Sequence, residues 1–158
     1  MTDQDRKFMT RSIELARIGV ETNAGGPFGC VVAKNDEIVG EGNNRVTSTN
    51  DPTAHAEIIA IREACHRLGT FQLDDCVIYT SCEPCPMCLG AIYWARPAKV
   101  FYACTRDDAS KIGFDDDFIY REFEKSNDER EMKLINLMRD EALEVFASWA
   151  AKPDKIEY

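Results

Sequence analysis

From its first residues the chain sets Met9, Ile13, Ala16 and Val20 at helical spacing between charged positions, then breaks at Asn23-Ala24-Gly25-Gly26-Pro27. This spacing predicts an amphipathic helix followed by a turn. Phe28 to Ala33 and Ile38 to Gly42 are short apolar runs with polar Lys34 to Glu37 between them, the pattern of a hairpin. Gly40 and Gly42 weaken its second strand. Asp51-Pro52-Thr53 offers a capping oxygen and a proline near a first helical position, so a second helix is expected to begin there. Ile58, Ile61, Cys65 and Leu68 form its apolar stripe, and Gly69 stops it. Cys76 to Thr80 reads as a strand, Pro84 to Ala95 as a helix carrying Met87, Ala91 and Trp94, and Lys99 to Cys104 as another strand. Met132 to Leu137 is a candidate fifth strand, and Ala142, Phe146 and Trp149 mark a final helix.

The later strands are apolar almost throughout, which suits burial on both faces. Strands alternating with helices imply a three-layer α/β/α domain around a mixed, largely parallel, five-stranded sheet. A length of 158 residues allows one domain with a real core and leaves no room for two comfortable ones, so 1–158 is read as a single domain. No run approaches the roughly 20 apolar residues needed to cross a bilayer, and MTDQDRKF lacks the apolar centre of a signal peptide. The expected location is cytoplasmic, with no membrane partner. Seven cysteines there are an odd number in a reducing compartment, which directs attention to metal or redox chemistry and away from disulfides. A net charge of −9 repels phosphate backbones, so no nucleic-acid partner is expected.

Two fragments carry chemistry: His55-Ala56-Glu57 at one helix start and Pro84-Cys85-Pro86-Met87-Cys88 at another. Together they form the H-x-E and P-C-x-x-C pairing of zinc deaminases. Cys85 and Cys88 fall in a first helical turn, where unpaired N–H groups favour thiolate. With His55 they make three protein ligands for Zn2+ and leave a tetrahedral position open to water, which is a catalytic count. The other histidine, His66, lies about 16 Å along the same helix at 1.5 Å per residue and cannot share the ion. Cys82 is near enough in sequence to close the site as a fourth ligand, and a thiol redox pair is the alternative for an isolated CxxC. Mid-helix, residues two apart point about 200° from each other, so His55 and Glu57 must sit where the helix end faces the metal. There Glu57 can take a proton from a water whose pKa zinc brings from 15.7 to about 7 and return protons to the ring nitrogen and the departing amine. Glu83 is a competing base. Cys30, Cys65, Cys76 and Cys104 lie on apolar runs and are expected in the core.

Nearly end to end, the sequence resembles the bacterial guanine deaminases of the cytidine deaminase superfamily. The matching stretches are GGPFG (25–29), NDPTAHAE (50–57), QLDDC (72–76), YTSCEPCPMCLGAIYWARP (79–97) and GFDD (113–116). TAHAE and PCxMC are shared with tRNA adenosine deaminases; GFDD and the terminal tyrosine weigh more on the substrate. The resemblance implies zinc on His55, Cys85 and Cys88, proton shuttling by Glu57, base contacts from Asn44, Asp116 and Tyr158, and a pocket lined by Phe28 and Trp94. It also implies a homodimer whose C-terminal helix and tail, 139–158, are exchanged between subunits, and hydrolysis of a small purine, guanine, to xanthine and ammonia. A carboxylate suits guanine, whose N1 carries a hydrogen, and would reject adenine. Guanosine, a tRNA adenosine and a non-catalytic zinc-stabilised module are the rival readings. Ser126 to Met138 follows no matching pattern.

Overall fold

In a computed structural model, which describes residues 1–114 and 116–158, the sheet is mixed and has the order β2-β1-β3-β4. Its strands are β1 (Gly29–Lys34), β2 (Glu37–Asn43), β3 (Val77–Cys82) and β4 (Lys99–Cys104). β1 pairs antiparallel with β2 and with β3, and only β3 and β4 are parallel, joined by the crossover helix α4 (Pro86–Ala95). The sheet therefore has fewer parallel pairs than the sequence pattern suggests. Pleating sends alternate side chains to opposite faces. Cys30, Val32 and Ile78 enter one core with Ala56, Ala60, Ala64 and Ile92, while Val31, Ala33 and Tyr79 enter another with Phe8 and Leu15. Helices α3 (Ala56–Leu68) and α4 cover the first face and α1 (Asp3–Glu21) the second, giving the expected three layers.

The inward face of α1 is Phe8, Ser12, Leu15, Ala16 and Gly19, whereas Ile13 and Val20 are exposed. The stripe predicted from the larger apolar residues is thus partly the wrong one: small residues allow the helix to lie close to the sheet. A capping box between Thr2 and Asp5 starts α1, and Asp5 also accepts the Tyr79 hydroxyl at 2.7 Å, tying the helix start to β3.

On the other face, α3 lies close upon β2. A Cβ at Gly40 would stand 2.3 Å from the Ala60 carbonyl oxygen, and one at Gly42 2.3 Å from that of Ala56. The two glycines that weaken β2 by propensity are what let α3 approach it. The helix begins at Ala56, later than Asp51-Pro52-Thr53 suggests, because the Asp51 carboxylate closes a local turn onto the Thr53 N–H and hydroxyl at 2.8 and 2.7 Å.

β4 is an edge strand, and its residues are exposed or half-exposed, not buried on both faces as the apolar run suggests. Cys104 at its end is exposed for the same reason, while Cys30 and Cys76 are buried and Cys65 is partly so. The short helices α2 (Val46–Thr49) and α5 (Arg106–Ser110) complete this part of the chain.

By chain contacts the molecule divides into two compact units, Met1–Asp116 and Asp117–Tyr158. The second contains α6 (Asp117–Glu124) and α7 (Arg139–Ala151), the latter being the final helix the sequence predicts. No fifth strand forms among the described residues. Met132 to Leu137 has no regular secondary structure and makes no ladder, and Met132, Ile135 and Leu137 are exposed. An apolar run becomes a strand only where a neighbouring edge takes up its N–H and C=O groups. Among the described residues no helix is long and apolar enough to cross a membrane.

Gly42→Ala should destabilise the fold by about 1–3 kcal/mol, the usual cost of overpacking, since the obstacle is backbone and cannot rotate away. Urea unfolding measures this; an unchanged midpoint would mean that α3 can retreat from β2 freely.

Candidate metal centre

His55 and Cys85 are the N-caps of α3 and α4, both with extended backbone, and Cys88 lies at the third helical position of α4. Pro86 opens α4 where its missing N–H costs nothing. The two helices share one face of the sheet, so their N-termini deliver the three side chains to one point. The 200° separation of His55 and Glu57 therefore does not arise. His55 precedes the first helical turn and Glu57 lies within it.

The His55 Nδ1 atom is 3.5 Å from the Sγ of Cys85 and 3.5 Å from that of Cys88. A tetrahedral zinc with Zn–S about 2.3 Å and Zn–N about 2.05 Å places N and S about 3.5–3.6 Å apart. The two N···S separations thus match edges of a zinc tetrahedron, the three donor atoms all lie within 4.8 Å of one another, and Nδ1 is the His55 atom that would bind the metal. Cys82 is not a fourth ligand: it falls outside this cluster, and its Sγ lies 3.5 Å from the Thr105 carbonyl oxygen.

Glu57 is buried at 6 % exposure. One carboxylate oxygen accepts the Thr80 hydroxyl at 3.3 Å, and the other lies 3.4 Å from Cys88 Sγ. Desolvation pushes this carboxyl above the ordinary glutamate range. The thiols are tuned in opposite directions. Cys85 is pulled down to about 4, first by the hydrogen bond from Cys88 and then by His55 and the Cys88 N–H, while Cys88 is pushed far up by donating to Cys85 and by burial. The imidazole of His55 is raised by its hydrogen bond to Cys85, with Glu57 and Asp116 adding to the effect. Protons are thus shared among closely spaced anionic groups, which is the chemistry of a cation site, where a metal replaces protons and both cysteines bind as thiolate.

Around this centre, Asn44 is buried and its Oδ1 accepts the N–H groups of Gly26 and Val46, each at 3.2 Å. Phe28 is partly buried against the core and meets Phe114 edge-to-face, with ring centroids 4.9 Å apart. Asp116 is half-buried and acts electrostatically on His55. Trp94 is 63 % exposed on α4, and Tyr158 is exposed at the end of the second unit. Asp115, the other acid of GFDD, lies outside the described residues. Glu83, the competing base, instead accepts the Arg106 N–H at 3.1 Å. Sequence reasoning passes over Thr80, which reads as one more residue of β3, and Phe114, whose partner is 86 positions away.

The model of the cytidine and deoxycytidylate deaminase zinc-binding region matches residues 2–104. The chain is 54% identical to the guanine deaminase of Bacillus subtilis (strain 168) over 151 residues, covering 96% of this chain and 97% of the relative. The crystal structure of a Bacillus subtilis guanine deaminase superposes with a TM-score of 0.95 at 52% identity, covering 100% of this chain and 99% of that one. By contrast, the tRNA-specific adenosine deaminase of Aquifex aeolicus (strain VF5) is 44% identical over only 77 residues, 49% of this chain and 51% of its own. Another tRNA-specific adenosine deaminase, that of Buchnera aphidicola subsp. Baizongia pistaciae (strain Bp), matches 70% of this chain at 37% identity, whereas the guanine deaminase similarity extends over 96%. With its histidine and two cysteines set at zinc spacing inside the matched region, the chain belongs to the cytidine and deoxycytidylate deaminase family of zinc-binding proteins.

Proposed function

We propose that this protein hydrolyses guanine to xanthine and ammonia. The observation that carries the reading is the buried Glu57 carboxylate beside a three-ligand metal cluster. A structural zinc site would be closed by a fourth ligand and has no use for a desolvated acid next to it. The choice of guanine rests on the similarity to guanine deaminase over 96% of the chain.

His55, Cys85 and Cys88 would hold zinc, which as a Lewis acid makes water nucleophilic near neutral pH. Glu57 takes the proton released by water and delivers it to the ring nitrogen next to the carbon under attack. A second proton passes through the same carboxylate to the exocyclic amine, which leaves as ammonia. The raised affinity of Glu57 for protons suits this shuttle, because the group must both accept and release within one turnover. Thr80 holds one oxygen of the carboxylate and so fixes its plane. Asn44, Asp116 and Phe28 belong to the base pocket in this reading. Asn44 spends its Oδ1 on Gly26 and Val46, and this fixes the direction in which its NH2 group can donate.

The working form in this reading is a homodimer in which 139–158 crosses to the partner, bringing Tyr158 to its pocket beside Trp94. Apolar faces support it. In the second unit Phe118, Phe123, Val145, Phe146 and Trp149 are exposed, and in the first so are Tyr93 of α4 and Tyr102 of β4. Surface of this kind marks an interface, and exchange of a terminal element is a low-cost route to a symmetric dimer. Seven free cysteines suit the cytoplasm, where thiols stay reduced.

Cys85→Ser and Cys88→Ser should each abolish guanine turnover and reduce bound zinc from one per chain toward none, because a hydroxyl is a far poorer zinc ligand than thiolate. Elemental analysis alongside ammonia release decides this, and full activity in a chelated, metal-free protein would refute the mechanism. Glu57→Gln should keep zinc and fold yet lose at least about 10²-fold in turnover; near-normal turnover would place the shuttle elsewhere. Removal of Lys155 to Tyr158 should leave a folded, zinc-loaded dimer with guanine turnover down at least about tenfold, because the cap that excludes water is lost. Unchanged turnover after truncation, or a fully active monomer in sedimentation, would rule out the crossing tail.

A further inference from the structure

We propose that Phe114 is a positioning residue for the purine pocket, acting through Phe28 and the Gly25-Gly26 turn; this rests on the guanine-deaminase reading above. Three contacts carry the assignment. The Phe114 ring stands perpendicular to that of Phe28 at an interplanar angle of 87° and a centroid separation of 4.9 Å, the favoured edge-to-face arrangement. The Phe114 N–H donates to the Ala109 carbonyl at 3.1 Å, so the loop that presents the ring is anchored just beyond α5. Both rings lie over Gly26, where a Cβ would meet Phe114 at 2.9 Å and Phe28 at 3.1 Å.

The same turn also faces Asn44. Gly26 donates its N–H to Asn44 Oδ1, and a Cβ on Gly25 would stand 2.3 Å from that oxygen. One two-glycine turn is therefore gripped by Asn44 on one side and by the Phe28–Phe114 pair on the other. It couples an aromatic wall to a polar base contact. Phe114 also precedes Asp116, the acid of the proposed base pocket, by two residues in sequence. None of the three metal ligands takes part in these contacts, and so Phe114 should govern where the base lies and not whether zinc binds.

The test compares wild type with Phe114→Leu, Phe114→Tyr and Gly26→Ala for zinc content and for guanine kcat and KM. Phe114→Leu, which keeps apolar bulk but loses the ring edge, should raise KM by about 3- to 10-fold, the scale of an aromatic pair, with zinc content unchanged and a smaller fall in kcat. Phe114→Tyr keeps the ring and should restore KM to within about twofold of wild type. Gly26→Ala should reproduce the KM defect by wedging the rings apart. In a double-mutant cycle, Phe28→Leu added to Phe114→Leu should cost less than it does alone. If Phe114→Leu leaves KM within twofold of wild type, if zinc falls in step with activity, or if the two phenylalanine substitutions are additive, the assignment is wrong. A wild-type protein that does not deaminate guanine would instead overturn the function on which it rests.

Discussion

Two thiols and a carboxyl within a few ångström of one another cannot all ionise in a buried site without a cation. The pull of Cys85 down to about 4, with Cys88 and Glu57 pushed up, expresses that conflict. A cation held by His55, Cys85 and Cys88 would take the place of protons on both sulfurs, and Glu57, which is not among those three donors, would keep its proton chemistry. The positive ends of two helices add to the same effect, because His55 and Cys85 are the N-caps of α3 and α4 and the Cys88 N–H in the first turn of α4 donates to Cys85. The rest of the fold serves to bring those two helix starts together.

The sheet does so through a tight approach. Gly40 and Gly42 let the α3 backbone lie on β2, which fixes the height of His55 and Glu57 above the sheet. β3 then supplies the other half: Thr80 reaches the Glu57 carboxylate, and the chain leaves Cys82 almost at once for Cys85. Chemistry at the carboxyl end of a central strand, between helix N-termini, is the arrangement in which open α/β sheets bind ligands.

Much of this was legible in the sequence because it is local. H-x-E and P-C-x-x-C each report a helix start, and a helix start fixes ligand direction within a single turn. The paired strands β1 and β2 and the helices α4 and α7 are equally plain from apolar spacing. What the sequence hides is non-local. Ser12 and Gly19 face the sheet because they are small, which a hydrophobicity pattern cannot distinguish from an exposed polar face. The pattern puts the start of α3 too early because Asp51-Pro52-Thr53 has the chemistry of a helix cap and uses it in a turn. The segment at Met132 to Leu137 has a strand's composition without a strand's partner, and the Phe28–Phe114 pair joins positions with nothing in their local patterns to connect them.

Substrate choice depends on more than the metal, since tRNA-specific adenosine deaminases share the zinc-binding region but match at most 70% of this chain among the relatives compared, against 96% for guanine deaminase. The most direct measurement of the central claim is ammonia release by the zinc-loaded protein, with product identification, from guanine, guanosine, adenine and cytosine in parallel. The account predicts one ammonia and one xanthine per guanine consumed, at a rate well above that for the other three. Release from guanosine much faster than from guanine would contradict the free-base reading, and no release from any of the four would contradict the enzyme.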